Sequence, residues 1–203
     1  MCRCRACDAV WDGASAPLRC PSCQAVLPPH PAATPFARLG LPLSLHVSDA
    51  EVEAAWLQRS RQAHPDRFAS RSPAERRAAA EQTAALNDAR RILRTGFDRA
   101  SWLVRHVGIA EPKLPQARLV WFMEVREEAE ASPAGRARVV DDAVVRFARV
   151  EAELQALVAT VDAAAPDPAT LQKVALVLAE ERTLARLAAD LSGPVLLPSL
   201  DAR

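Results

Sequence analysis

Five cysteines, the residues in this sequence best suited to bind a metal, all lie within the first 23 positions. Four of them form two C-x-x-C pairs, and each pair is able to direct two thiolates at one point. Four thiolates about 2.3 Å from one ion complete a closed tetrahedral zinc shell, which is a structural rather than a catalytic type of site. The predicted zinc ligands are Cys4, Cys7, Cys20 and Cys23.

Other uses of these thiols stay open. Disulfides are disfavoured if the chain is intracellular, because reducing pools keep thiols free there. Iron also accepts four thiolates, and we expect zinc only because it is the commoner structural ion. Cys2 is expected to remain a spectator thiol, although it could replace Cys4 in the shell. A proline-rich linker, Pro28-Pro29-His30-Pro31, follows and ends a predicted module over residues 1–32.

The tripeptide His64-Pro65-Asp66 is the second constellation, and it lies where a helix must stop. Pro65 disfavours the α conformation at the preceding residue and lacks a backbone N–H, so the chain must turn there. The turn would hold an imidazole and a carboxylate outward, ready for a partner that offers both signs of charge. Three arginines flank it: Arg59, Arg61 and Arg67. By chance alone, such a triplet occurs in a chain this long at roughly the few-per-cent level.

The elements that must position these residues are helices. Ser48 with Glu51, and Ser72-Pro73-Ala74-Glu75, are capping-box signatures on either side of the turn. Apolar residues at helical spacing follow each start. The predicted buried positions are Val52, Ala55, Trp56 and Ala63 in the first helix, and Leu86, Ala89 and Leu93 in the second.

Three more helices are predicted over residues 108–203. One runs from about Pro115 to Ala131, Ser132-Pro133 and Asp167-Pro168 open the other two, and Gly193-Pro194 closes the last. Short connections favour antiparallel neighbours, so a three-helix bundle is expected. The expected inward residues of the middle segment are Val140, Val144, Phe147, Val150, Leu154 and Val161.

Composition supports a mostly α protein, since aromatic residues are 4 % of the chain and tyrosine is absent. Lys and Arg (26) nearly balance Asp and Glu (25), which leaves no global field to attract nucleic acid or a membrane. A long apolar window and a secretory signal are both lacking. We expect a soluble, cytoplasmic protein; a mitochondrial matrix location would require a presequence already removed.

Another stretch combines an apolar patch with acidic residues. At helical spacing these positions share one face: Leu119, Val120, Met123, Glu124 and Glu127. Taken alone, such a face is more often a bundle core stripe with a solvated acidic rim.

Residues 36–107 resemble a J-domain, which we assign to residues 33–107. The carrying motifs are Phe36-Ala37-Arg38-Leu39-Gly40-Leu41, Ala63-His64-Pro65-Asp66-Arg67-Phe68 and Leu86-Asn87-Asp88-Ala89. More narrowly, the whole chain resembles HscB, the J-protein of iron-sulfur cluster assembly. That family joins a J-domain directly to a small carboxy-terminal helical bundle, and some members add a two-knuckle cysteine module at the amino terminus.

The resemblance implies a non-enzymatic co-chaperone that delivers an iron-sulfur scaffold protein to a DnaK/HscA-type chaperone and stimulates its ATPase. The His-Pro-Asp loop and its three arginines would contact the chaperone. Glu124-Val125-Arg126-Glu127-Glu128 resembles the scaffold-holding segment, so the acidic apolar face and Leu176 would contact the client. Ala131 stands where the family often continues its acidic row, so a weaker or differently shaped contact is expected.

Two rival functions stay open. One is a general J-protein with another client. The other is a zinc-ribbon nucleic-acid binder whose arginines between Arg71 and Arg94 track phosphates, which the interspersed Glu75, Glu81 and Asp88 oppose. An enzyme is not expected, because paired carboxylates and a phosphate-cradling glycine loop are lacking. We likewise expect no nucleotide bound to this chain.

Overall fold

A computed structural model describes residues 2–11 and 16–192. The protein is mostly helical, which confirms the predicted fold class. The chain divides into two compact units, Met1–Arg99 and Ala100–Arg203. The helices are α1 (Pro35–Leu39), α2 (Asp49–Ala63), α3 (Pro73–Leu93), α4 (Gly96–Val107), α5 (Gln116–Ala131), α6 (Pro133–Val158) and α7 (Pro168–Ser192). Among the described residues, no helix combines the length and apolar character needed to cross a membrane.

The cysteine-rich segment of the first unit is built on backbone pairing. Strands β1 (Cys2–Arg3) and β2 (Val10–Trp11) pair in antiparallel fashion, and an isolated bridge joins Arg19 to Val26. Strands of two residues bury little apolar surface and are not stable alone in water. This segment therefore depends on additional cross-links, which its cysteines are placed to supply.

Both capping boxes predicted for the first unit are present. The Ser48 hydroxyl accepts the Glu51 N–H at 3.2 Å, and the Glu51 carboxylate accepts the Ser48 N–H at 2.7 Å. Ser72 and Glu75 make the same reciprocal pair at 3.3 Å in each direction. These bonds satisfy N–H groups that a helix start leaves unpaired, so α2 and α3 begin where the sequence indicates.

Helix α3 packs against both α1 and α2 and forms the core of the first unit. Fully buried residues there include Phe36, Leu39, Val52, Ala63, Leu86, Ala89 and Leu93. Trp56 lies half-buried at the rim, where its Nε1–H donates to Asn87 Oδ1 at 2.9 Å. The Arg90 guanidinium stacks 4.2 Å from the centre of the Trp56 ring and bonds both carboxylate oxygens of Glu53. Packing and this polar clamp together hold the α2–α3 hairpin closed.

The second unit contains the expected three-helix bundle, in which α6 packs against both α5 and α7. The Ser132 hydroxyl caps α6 by accepting the Gly135 N–H at 2.9 Å. A Cβ at Gly135 would lie 2.3 Å from the Glu128 carbonyl oxygen, so the close approach of α5 and α6 requires glycine here. Asp167 caps the start of α7 by accepting the Thr170 N–H at 2.8 Å. Gly193-Pro194 lies outside the described residues.

The buried stripe of α6 differs in phase from the prediction. Phe147, Val150 and Leu154 are buried as expected, and so is Val161 after the helix. Val144 is 43 % exposed, so its predicted inward position is wrong, and Val140 is only half-buried. The core instead uses Val139 and Ala143. Two valine pairs, 139–140 and 144–145, offer two possible phases, and packing against both neighbouring helices selects one of them.

Candidate functional sites

Four cysteine thiols meet at one point in the first unit. The sulfur atoms of Cys4, Cys7, Cys20 and Cys23 all lie within 4.8 Å of one another. The distance from Cys4 Sγ to Cys23 Sγ is 3.6 Å, and that from Cys7 Sγ to Cys20 Sγ is also 3.6 Å. A disulfide requires about 2.05 Å, whereas four sulfurs about 2.3 Å from one ion lie about 3.8 Å apart. The cluster therefore fits a tetrahedral metal shell and could bind a metal ion. The side chain of Cys2 lies outside the described part of the chain.

The two cysteine pairs sit on backbone loops of the same form. The Cys4 carbonyl accepts the Asp8 N–H at 2.9 Å, and the Cys4 N–H donates to the Ala9 carbonyl at 2.8 Å. The same two bonds join Cys20, Gln24 and Ala25. The fifth residue of each loop has a left-handed φ, 59° at Asp8 and 61° at Gln24. Each loop thereby turns back on itself and directs its two thiols toward the same point.

Hydrogen bonds and neighbouring thiols shift the pKa values of Cys20 and Cys7 in opposite directions. The Cys23 N–H has the largest effect on Cys20 and, with the Ser22 N–H and neighbouring thiols, lowers the pKa of Cys20 to about 6 against the effect of burial. At Cys7, a hydrogen bond from the Ala9 N–H lowers the pKa, but the other three thiols and desolvation outweigh it and raise the pKa to about 12. Only thiolates bind metal, so an ion must displace the protons that these sulfurs share.

The His-Pro-Asp tripeptide forms a compact turn. Helix α2 ends at Ala63, and a 3-10 helix over Pro65–Phe68 follows. The Asp66 N–H donates to His64 Nδ1 at 3.3 Å, and the Arg67 N–H donates to the His64 carbonyl at 3.0 Å. The side chains of His64 and Asp66 are 56 % and 90 % exposed, whereas Phe68 is 3 % exposed. The loop is thus anchored in the core at one end and presents an imidazole and a carboxylate to solvent.

The hydrogen bond to His64 also determines which ring nitrogen faces a partner. Because Nδ1 accepts the Asp66 N–H, the neutral ring carries its proton on Nε2. The Asp66 Oδ2 atom lies 3.5 Å from the same Nδ1. The turn therefore offers one imidazole donor and one exposed carboxylate side by side, with the exposed Arg61 and Arg67 nearby in sequence.

Arg59, the third predicted arginine, is engaged by backbone carbonyl groups. Its guanidinium donates to the carbonyls of Ala37 at 2.9 Å, Arg38 at 2.8 Å and Ala16 at 3.2 Å. Burial lowers the pKa of Arg59. The Arg59 side chain therefore ties α2 to the end of α1 and to the cysteine-rich segment, a structural part that the motif alone did not indicate.

Exposed apolar residues cover one side of α5. Leu119, Val120 and Met123 are 46 %, 43 % and 64 % exposed. Glu124 and Glu127, which share this face, are exposed as well. The core stripe of α5 consists instead of Val125 and Ala129, which pack with Val139 and Leu187. The alternative that this face is a core stripe is therefore wrong. Leu176 lies half-buried on α7.

A buried carboxylate holds α5 to the other two helices of the bundle. Glu180 of α7 has a side chain that is 2 % exposed and pairs with Arg118 of α5 and, at 2.8 Å, with Arg146 of α6. The Arg146 guanidinium also stacks 4.0 Å from the centre of the Trp121 ring on α5. A buried carboxylate is costly unless paired, so this network fixes one arrangement of the three helices beside the exposed face. Its signal in the sequence was an acidic residue directly after the apolar run 174–179.

Comparison with known proteins finds relatives with related sequences and a related fold, whereas no protein-family model matches. A co-chaperone protein HscB homolog of Cupriavidus taiwanensis is 39 % identical over 121 residues, which cover 57 % of this chain and 69 % of that protein. The homolog of Bordetella petrii is 36 % identical over 124 residues, 59 % of this chain and 68 % of the relative. The crystal structure of human co-chaperone protein HscB has a TM-score of 0.72 at 23 % identity and covers 93 % of this chain and 96 % of that chain.

A helical hairpin that turns at an exposed His-Pro-Asp tripeptide, together with these relatives, defines a J-domain co-chaperone. The solved structure supports the assignment of the fold. The two bacterial relatives, at 39 % and 36 % identity, support the assignment to a family. The chain belongs to the HscB co-chaperone family.

Proposed function

We propose that this chain is an adaptor that binds an iron-sulfur cluster scaffold protein, delivers it to a DnaK/HscA-type chaperone and stimulates the ATPase of that chaperone. A human relative, 29 % identical over 141 residues, is named an iron-sulfur cluster co-chaperone protein, which supports this choice of client. Residues 33–107 act as the J-domain, residues 108–203 bind the client and residues 1–32 hold the metal. The chaperone, rather than this chain, hydrolyses ATP.

The exposure of the His64-Pro65-Asp66 loop is the observation that carries the proposal. The His-Pro-Asp motif lies on a surface turn, and 90 % of the Asp66 side chain is open to solvent, where a partner can reach it. The imidazole Nε2–H can donate to an acceptor on the chaperone, and the carboxylate can accept from an arginine or a backbone N–H. Pro65 keeps the two groups adjacent, so little conformational entropy is lost on binding.

Two arginines extend the chaperone contact. Arg61 and Arg67 are exposed on either side of the loop, and Arg67 Nη1 lies 3.5 Å from the Arg61 carbonyl oxygen. Their charges would steer the loop toward an acidic groove. The proposal gives Arg59 a supporting part only, because its guanidinium is engaged by three carbonyl groups.

The exposed face of α5 is the proposed client surface. Leu119, Val120 and Met123 form an apolar patch of the kind that marks a protein-binding site, and Met123 is the most exposed of the three. The thioether side chain of methionine adapts to irregular partners. Glu124 and Glu127 would contribute specificity at the edge of the contact, and Leu176 on α7 would add an apolar contact.

Zinc is the proposed ion of the cysteine site, and its role is to fold residues 1–32. Cys4, Cys7, Cys20 and Cys23 cluster as a thiolate metal shell does, and a location in the cytoplasm, where thiols remain reduced, suits such a site. Only the chain's own residues supply the contacts to partners, since a shell of four thiolates leaves no open coordination position.

The test is the steady-state ATPase rate of a DnaK/HscA-type chaperone with wild type, His64→Gln or His46→Gln added. His46 is another exposed histidine of the first unit and serves as the matched control. We expect stimulation by wild type and His46→Gln, and near-basal rates with His64→Gln. Equal stimulation by all three proteins would remove the loop from the mechanism, and no stimulation by wild type would remove the proposal.

A further inference from the structure

Phe68, which ends the His-Pro-Asp turn, is buried partly by the cysteine module. Val26 of the module forms one buried cluster with Phe68 and with Ala78 and Ala79 of α3. The Arg19 guanidinium lies 5.2 Å from the centre of the Phe68 ring. Arg19 and Val26 are also the two partners of the isolated backbone bridge in the module. One small piece of β structure thus covers the anchor of the loop.

A second set of contacts connects this β structure to the sulfur cluster. The Gln82 side-chain amide of α3 donates to the Leu27 carbonyl at 2.8 Å, and both atoms are buried. Leu27 packs with Cys4 and Cys20 in a further buried cluster. The path from the thiols to α3 is therefore continuous through Val26 and Leu27, which are adjacent in sequence.

The turn itself has few internal restraints. Its 3-10 helix has four residues, and the bond from the Ala69 N–H to the Asp66 carbonyl is long, at 3.4 Å. Short 3-10 helices have poorer hydrogen-bond geometry than α-helices and depend on their surroundings. The buried Phe68 side chain is therefore the principal tertiary attachment of the turn, and its environment determines how well the turn is ordered.

We propose that the cysteine module braces the His-Pro-Asp loop, which means that it keeps the turn ordered. Val26 and Arg19 are the positioning residues, and they act on the loop through Phe68. The two-residue strands do not hold the module together alone, so loss of the ion would loosen Val26 and Arg19 and expose the Phe68 ring. Metal content would then set the order of the loop. The consequence for chaperone stimulation rests on the function proposed above, whereas the structural coupling does not.

Hydrogen exchange of the full-length protein tests the coupling directly. The readout is the exchange rate of backbone amides in residues 64–71, which include the donors Arg67, Ala69 and Arg71. Val26→Ser is compared with Val10→Ser, because Val10 belongs to the same module, is 51 % exposed and lies outside the Phe68 cluster. Val26→Ile is the conservative variant, and metal content is measured for every protein.

We expect Val26→Ser to raise the exchange rate in residues 64–71 by roughly tenfold. Val10→Ser and Val26→Ile should match wild type, and exchange in α6 should not change. Unchanged exchange in a Val26→Ser protein that retains its metal would overturn the brace.

If Val26→Ser loses its metal, hydrogen exchange of the wild type treated with a zinc chelator tests the brace instead. Faster exchange in residues 64–71 with unchanged α6 supports the brace, and unchanged exchange in the loop overturns it. Neither assay contains the chaperone, so a negative result here leaves the adaptor function standing.

Discussion

The His-Pro-Asp loop and the exposed face of α5 present two opposite kinds of surface. The loop offers an imidazole and a carboxylate on a turn held by Pro65 and by one buried side chain, Phe68. The face of α5 offers apolar side chains on a regular helix that a buried ion network holds in place through Glu180. One surface is polar and depends on a single buried anchor, and the other is apolar and lies on a regular helix.

This difference corresponds to two types of recognition. A polar turn binds by placing a few hydrogen-bonding groups accurately, so its partner must supply matched donors and acceptors. An apolar face binds by excluding water over a larger area and tolerates variation in the shape of its partner. A chaperone contact that triggers hydrolysis suits the first type, and capture of a client suits the second.

The largest expected effect is on stability, and it distinguishes the buried anchor of the loop, Phe68, from the exposed face of α5. Phe68→Ala should lower the free energy of unfolding of the first unit by about 3–5 kcal/mol, because it leaves a cavity in a packed site. Met123→Ala should change stability by less than about 0.5 kcal/mol, since Met123 is exposed. Urea denaturation followed by circular dichroism measures both. Similar losses for the two variants would show that the surfaces are not supported differently.

The face of α5 should matter for binding instead. The double variant Leu119→Ala, Met123→Ala should weaken scaffold affinity by roughly 30-fold, about 2 kcal/mol, through loss of buried apolar area in the complex. Val145→Ala is the matched control, because Val145 is 73 % exposed on α6. Titration calorimetry with a scaffold protein measures the affinities, and circular dichroism checks that helicity is kept. Equal affinity for the double variant and the control would contradict the client assignment.

A smaller effect is the dependence of stability on pH, and it involves two described carboxylates, Asp167 and Glu51. The Thr170 hydroxyl and N–H lower the pKa of Asp167, and the Ser48 hydroxyl and N–H lower the pKa of Glu51. A carboxyl with a lowered folded-state pKa takes up its proton first in the unfolded chain as pH falls. The stabilisation is therefore present above the unfolded pKa, about 4, and is lost as pH falls through the folded value.

Asp167→Asn isolates this contribution, because asparagine can also cap a helix but does not titrate. Any stability advantage of wild type over Asp167→Asn at pH 6 should shrink at pH 3. Urea midpoints at the two pH values provide the measurement. An advantage that stays constant with pH would rule out the Asp167 carboxylate as its source. Glu51→Gln provides the corresponding comparison for the first unit.

Much of the fold could be predicted from the sequence because its signals are local. Capping boxes at Ser48 and Ser72 act within four residues, and both helices begin where those signals lie. The phase of α6 was wrong at Val144 because valines stand at both candidate positions, and only packing against α5 and α7 distinguishes them. Tertiary packing, rather than local preference, determines that outcome.

The candidate sites also divide into those that local sequence signals predict and those that depend on tertiary packing. Cysteine spacing predicted the sulfur cluster, since each pair folds on its own loop. The α5 face could not be assigned from periodicity, because a core stripe and a docking face share one period and only burial separates them. Contacts of Phe68 with Val26 and Arg19 join residues more than 40 positions apart, and no local pattern encodes them.

The central claim is that one molecule must carry both surfaces. The most direct measurement is the scaffold-dependent increase in chaperone ATPase rate with His64→Gln, with the double variant Leu119→Ala, Met123→Ala, and with an equal mixture of the two. We predict that wild type alone gives the full increase and that the mixture gives no more than its better component. A mixture that matches wild type would contradict the claim, because the two surfaces would then act from separate chains.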